Sequence, residues 1–223
     1  MTRTGPAARP PADFEDRADT FFSWIQLHTR TLTILAAVVV ALGIGAWLFV
    51  QSRATREQRA YESLERAEQA VAQRNFALAQ TDLERVARRF RNTSAGDRAV
   101  LRLSEVLYAT GKYQQGITEL ERLSGGADPE LGATVEAQIA AGYEELKKFA
   151  EAADHYRRAA ERARFGTDSA LYMAAAARAY TSAGNTAAAQ KIWADLAKDD
   201  SSPVAGEARV RLGELAARPA RAS

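Results

Sequence analysis

The side chains that most often carry chemistry are few in this chain and far apart. Its 223 residues include no cysteine, which excludes a thiolate nucleophile, a disulfide framework and a cysteine-ligated zinc site. The only two histidines are His28 and His155, too distant in sequence to suggest a metal site. Glu144 and Glu145 are adjacent, hence about 100° apart on a helix, and do not by themselves make an acid/base pair. The sequence has no glycine-rich phosphate loop, no GxSxG elbow and no HExxH helix. These residues predict no catalytic activity, no cofactor, no bound metal and no small-molecule substrate. Charge is equally uninformative about nucleic acid, because 30 basic residues face 28 acidic ones and the formal net charge is only +2. Residues 57–216 hold 22 basic and 24 acidic side chains with no continuous basic face, so no nucleic-acid partner is expected.

The elements that would have to present a functional surface are more legible. Residues 32–50 read LTILAAVVVALGIGAWLFV, with Thr33 the one polar residue and no charge. Nineteen residues at 1.5 Å rise span roughly 28 Å, about the hydrocarbon thickness of a bilayer, and predict a transmembrane helix embedded in lipid through 32–50. Trp24, Trp47 and Phe49 lie at headgroup level on this reading, and Arg30 and Arg53 bracket the run. A cleaved signal peptide is the competing reading. About 30 residues precede the apolar run, and Ser52 and Ala54 make a poor cleavage site, so an uncleaved anchor is favoured. Orientation stays open, since Arg3, Arg9, Arg17 and Arg30 on one side balance Arg53, Arg56, Arg59 and Arg66 on the other. Before the span, MTRTGPAARPPA has the composition of a disordered tail. DFEDRADTFFSWIQLH sets Phe14, Phe21, Phe22 and Trp24 among Asp13, Glu15, Asp16 and Asp19, as an interfacial helix or a plain juxtamembrane segment would. The expected layout is a juxtamembrane segment at 1–30, a span at 31–52, a helical array at 53–216 and a disordered tail at 217–223.

From residue 54 onward the chain is rich in Ala, Glu, Arg and Leu, and its apolar residues recur every three or four positions, the pattern of helices. Four segments superpose: QRNFALAQTDLERVARRF, TGKYQQGITELERL, LKKFAEAADHYRRAAE and AGNTAAAQKIWADLAK. Phe76, Tyr113, Phe149 and Thr186 share a column at intervals of 37, 36 and 37. A small-residue column follows at Ala79, Gly116, Ala152 and Ala189, and a bulky one at Leu83, Leu120, Tyr156 and Trp193. Small residues allow helices to approach, and large ones fill the space beside them. A helix before each turn aligns Leu103, Ile139 and Ala176, then Leu107, Tyr143 and Tyr180.

These columns resemble the tetratricopeptide repeat: a large-small pair (Leu103-Ser104, Ile139-Ala140, and Leu212-Gly213 near the end), a bulky residue one turn later, and a glycine turn before the second helix. The turn glycine stands at Gly111 and Gly184 and gives way to Arg74 and Lys147 in the other two units. The resemblance implies an all-α fold: one N-terminal transmembrane helix, then a tetratricopeptide-like α-solenoid of about four helix-turn-helix repeats and a C-terminal capping helix. Residues 203–216, with Arg209, Arg211 and Glu214 toward water, would supply that cap. The first unit is the weakest, with Ser63 and Arg66 in its normally apolar columns.

Such arrays bind protein partners on the concave face of their first helices. Carried over by position, that face would comprise Arg98, Leu101, Glu105 and Tyr108, then Thr134, Ala137, Ala141 and Glu144, then Leu171, Ala174 and Arg178. Relatives that clamp chaperone carboxylate tails use Lys and Asn here, which these helices lack, so that mechanism is not expected. The whole layout is similar to the single-span tetratricopeptide proteins of the bacterial inner membrane that serve as ancillary subunits of the secretion translocon. That likeness implies a periplasmic array and, as partners, translocon subunits, periplasmic chaperones or secreted clients. The alternative is an envelope-assembly or cell-division protein that organises a trans-envelope complex.

Overall fold

The computed structural model describes residues 29–126 and 129–217, and all regular structure within them is helical. The expectations for the amino-terminal segment and for the last residues of the tail lie outside the described residues. The helices are α1 (Thr29–Ala72), α2 (Phe76–Arg89), α3 (Ser94–Ala109), α4 (Tyr113–Ser124), α5 (Gly132–Glu145), α6 (Phe149–Arg162), α7 (Gly166–Ser182), α8 (Thr186–Leu196) and α9 (Ala205–Ala217). The chain divides into two units, Met1–Thr55 and Arg56–Ser223.

The described part of the first unit is the apolar portion of α1, a helix long and apolar enough to cross a membrane. Its described large side chains, among them Ile34, Val38, Leu42, Ile44, Trp47 and Val50, are exposed. Its hydroxyls turn back into the helix: Thr33 Oγ1 donates to the Arg30 carbonyl at 2.9 Å and Ser52 Oγ to that of Phe49 at 2.8 Å. A helix in hydrocarbon needs this self-sufficiency, since no water is present to satisfy polar groups.

The second unit consists of four helical hairpins and a last helix. The hairpins pair the end of α1 with α2, α3 with α4, α5 with α6, and α7 with α8, and α9 packs on α8. One turn closes all four. Its middle residue is left-handed: Arg74 (φ 56°), Gly111 (76°), Lys147 (59°) and Gly184 (79°). The next amide then reaches back five residues, with Asn75, Lys112, Lys148 and Asn185 donating to Ala70, Leu107, Tyr143 and Tyr180 at 2.8–3.0 Å. This is the capping arrangement that glycine permits most easily. Asn75 and Asn185 also cap the following helix by accepting from the amides of Leu78 and Ala188.

The small and bulky columns form the interior. Ala79, Ala152 and Ala189 are wholly buried and Gly116 is buried; Leu83, Leu120 and Trp193 are wholly buried and Tyr156 half-buried. Three clusters run along the unit, one on Leu64, Leu83 and Leu103, one on Ile117, Leu120 and Ile139, and one on alanines around Trp193; Tyr143 touches the last two.

The ends depart from the expected columns. In the first hairpin Arg66 is exposed and Ser63 half-buried, while Ala60, Leu64, Ala67 and Ala70 face α2. The column holding Arg66 corresponds to Leu103, which packs toward a preceding hairpin, and among the described residues none stands before the first. At the other end Leu212 is only half-buried and Gly213 exposed; Val204, Ala208 and Leu215 make the contact instead. A terminal helix has a neighbour on one side only and buries one stripe.

A non-glycine residue in the left-handed region costs about 1 kcal/mol. Lys147→Gly is therefore expected to stabilise the array by about 1 kcal/mol, and Gly184→Ala to destabilise it by a similar amount. Urea unfolding followed by circular dichroism in mild detergent checks both signs.

Candidate protein-binding face

The first helices of the second, third and fourth hairpins, α3, α5 and α7, carry the expected partner-binding positions. Arg98, Glu105, Thr134, Leu171 and Arg178 are exposed, and Tyr108, Ala137, Ala141 and Glu144 are half-buried. Leu101 and Ala174 are buried and cannot serve a partner: Leu101 joins Ile117, Val135 and Ile139 between hairpins, and Ala174 is wholly enclosed in the cluster around Trp193.

Several of the accessible positions are tied into the array. Tyr108 donates to the Gln138 carbonyl at 3.0 Å and is wedged between two glycines. A methyl at Gly116 would lie 2.5 Å from the Tyr108 ring, and one at Gly142 would lie 2.4 Å from its hydroxyl. Gln138 accepts from Ser104 at 2.8 Å and donates to Glu105 at 3.1 Å, joining α3 to α5. Glu144 accepts from Tyr156 at 2.9 Å, and Arg178 donates to Glu207 on α9 at 2.8 and 2.9 Å. Burial pushes the hydroxyls of Tyr108 and Tyr156 well above the usual tyrosine range, with Glu121 and Glu144 respectively adding to it. Arg98, Thr134 and Leu171 are thus the exposed positions not drawn into these contacts. Beside Thr134 lies an open groove of about 530 Å³ that the sequence columns did not indicate, lined by Pro129, Arg162, Phe165 and Tyr172 among others. Phe165 there is 61% exposed.

A buried charge cluster also escaped the sequence. Glu136 on α5 is 2% exposed and receives four groups: Ser124 Oγ at 2.9 Å, His155 Nδ1 at 2.8 Å, Arg158 Nε at 3.2 Å and Arg162 Nη1 at 3.3 Å. Burial alone would raise this carboxyl, but the bonds from His155, Ser124 and Arg158 and the Arg162 charge hold it below the usual carboxylate range. Burial keeps the His155 imidazole below its usual value, outweighing Glu136, and its ring stacks on Tyr143 at 5.2 Å. The cluster clamps α4, α5 and α6. The one available signal was the repeat column itself, where Glu136 replaces the Val100 and Met173 of the neighbouring units. Among the described residues no group of three or more His, Asp and Glu is placed to hold a metal.

Comparison with known proteins places this geometry. Nearly identical tetratricopeptide-like repeats assigned to a kinesin light chain of Podosopora anserina superpose with a TM-score of 0.56 at 14% identity, covering 71% of this chain and 86% of that one. A tetratricopeptide repeat protein from Parabacteroides merdae gives a TM-score of 0.56 at 17% identity, covering 71% of this chain and 60% of that one. The fold is that of a tetratricopeptide-repeat array. No protein-family model matches the sequence, and no curated protein does.

Removing the Glu136 charge leaves two arginines and a histidine facing a neutral amide. Glu136→Gln is expected to cost about 1–3 kcal/mol near pH 7. Both shifts make acid destabilising. The unfolded chain takes up the His155 proton first below about pH 6.5, and the Glu136 proton first below about 4.3, so stability falls in each window as pH drops. The gap in urea midpoint between wild type and Glu136→Gln should narrow as pH falls below about 4.3 and close only once the folded carboxyl is itself protonated.

Proposed function

We propose that this chain is a membrane-anchored scaffold for protein-protein interaction in the cell envelope. The apolar part of α1 crosses the bacterial inner membrane once, and the array lies in the periplasm. There it holds subunits of the protein-translocation channel, periplasmic chaperones or secreted clients near the bilayer. The observation that carries the scaffold reading is a tetratricopeptide array following, in the same chain, a helix long and apolar enough to span lipid. Positions on its first helices, Arg98, Thr134 and Leu171, remain open. The periplasmic side and the translocon rest on the likeness of layout alone.

Two measurements test the proposal. Reporters active only inside or only outside the cytoplasm, fused after Ser223, should place the carboxyl terminus outside; an inside terminus would make this a cytoplasmic platform. Affinity purification from detergent-solubilised membranes should recover channel subunits or chaperones. Arg98→Glu with Leu171→Arg should lower that recovery at least about tenfold without changing the helical spectrum, as loss of interface anchors does. Self-association or envelope-assembly partners without channel subunits would favour a trans-envelope organiser instead.

A further inference from the structure

The first hairpin of the array carries a concentration of arginine at the end where the chain arrives from the apolar segment. The hairpin turns at Arg74, so its open end joins the start of the second unit, at Arg56, to the last turn of α2 and the loop after it. Arg56 fixes this end by donating to the carbonyls of Arg89 and Arg91 at 3.3 and 3.4 Å. Arg56, Arg59, Arg89 and Arg91 are all exposed, and none of them forms an ion pair among the described residues. Arg66 and Arg89 also flank a groove of about 280 Å³ against Phe90.

Most acidic residues of the hairpin are engaged elsewhere. Glu57 accepts from the Ala95 amide at 3.0 Å, Asp82 pairs with Arg85 at 2.6 Å, Glu84 with Arg88 at 3.2 Å and Glu68 with Arg102 at 4.0 Å, and Glu62 accepts from Gln58; Glu65 stands nine residues along α1 from Arg56. Complementing the carbonyl end of α2 would explain arginine at positions 88 and 89. It does not explain Arg56, Arg59 and Arg91 beside them. Five residues separate Val50, the last of the apolar run, from Arg56. Whatever path they take, they span at most about 20 Å. A surface that close to the end of a span meets lipid headgroups before any other partner.

We propose that this arginine end is a docking surface for anionic phospholipid headgroups, which draws the array down onto the bilayer that anchors it. The inference rests on the membrane-anchored reading. Guanidinium suits it, because its planar fork bonds phosphate oxygens in pairs. Each such residue near an anionic surface strengthens binding about fivefold, and salt screens the effect within about 10 Å.

The full chain can be tested in proteoliposomes of phosphatidylcholine alone or mixed with phosphatidylglycerol. Because the chain has no cysteine, Asn92→Cys supplies a single site for a fluorescence donor, and labelled headgroups carry the acceptor. Energy transfer should rise with phosphatidylglycerol, fall with added salt, and drop by at least about tenfold in apparent surface binding for Arg59→Gln with Arg89→Gln and Arg91→Gln. Replacing Arg157, Arg164 and Arg209 instead should leave it unchanged. Transfer indifferent to phosphatidylglycerol, or to the first triple substitution, in chains that resist alkaline carbonate extraction would overturn this inference and leave the anchor standing. Chains released by carbonate would overturn both.

Discussion

The array depends on one constraint, the close approach of two helices within each hairpin. Ala79, Gly116, Ala152 and Ala189 let the second helix lie against the first, and Leu83, Leu120, Tyr156 and Trp193 fill the space one turn further on. The short turn enforces the register, because a left-handed residue and a five-residue return bond leave little freedom in how the second helix departs. Four nearly equal solutions in one chain make a stack, and a stack buries its faces only against neighbours. The end helices therefore tolerate Arg66 where inner helices carry an apolar residue, and leave Leu212 half-buried and Gly213 exposed.

Alanine fills so much of this interior that packing area per residue is low, and polar bonds between hairpins add direction. Tyr143 donates to Glu121 at 3.1 Å and Tyr180 to Asp154 at 2.6 Å, each reaching back to the second helix of the preceding unit. Glu136 does the same work with charge, its burial offset by four donors. Tyr108 is the clearest case of a side chain whose place on the open face conceals a packing role, since Gly116 and Gly142 are small where it passes.

The fold was legible because repetition multiplies weak signals. A single Ala-Leu spacing means little, whereas four aligned columns pointed to hairpins and to their turns, with Arg74 and Lys147 in the glycine's place; that this place is left-handed is seen in the structure. The candidate face was less legible. Column positions say which residues point away from the partner helix, but not how near the neighbouring hairpin comes, so Leu101 and Ala174 were placed on a surface they do not reach. The Glu136 cluster depends on contacts among α4, α5 and α6 that no local periodicity encodes. The groove beside Phe165 arises where the short segment between α6 and α7 meets the start of α5, and loop geometry of that kind is not written in columns.

Helices held this way present a rigid surface at fixed spacing, and the second helices present another on the opposite side. In the proposed scaffold, recognition lies on the first helices. Site-specific photo-crosslinking in intact membranes compares the two directly, with the photoreactive residue at Thr134 or Ala141 on α5 and at Gln114 or Thr118 on α4. Partner adducts are expected from Thr134 and Ala141 and none from Gln114 and Thr118. Adducts confined to Gln114 and Thr118 would contradict that expectation.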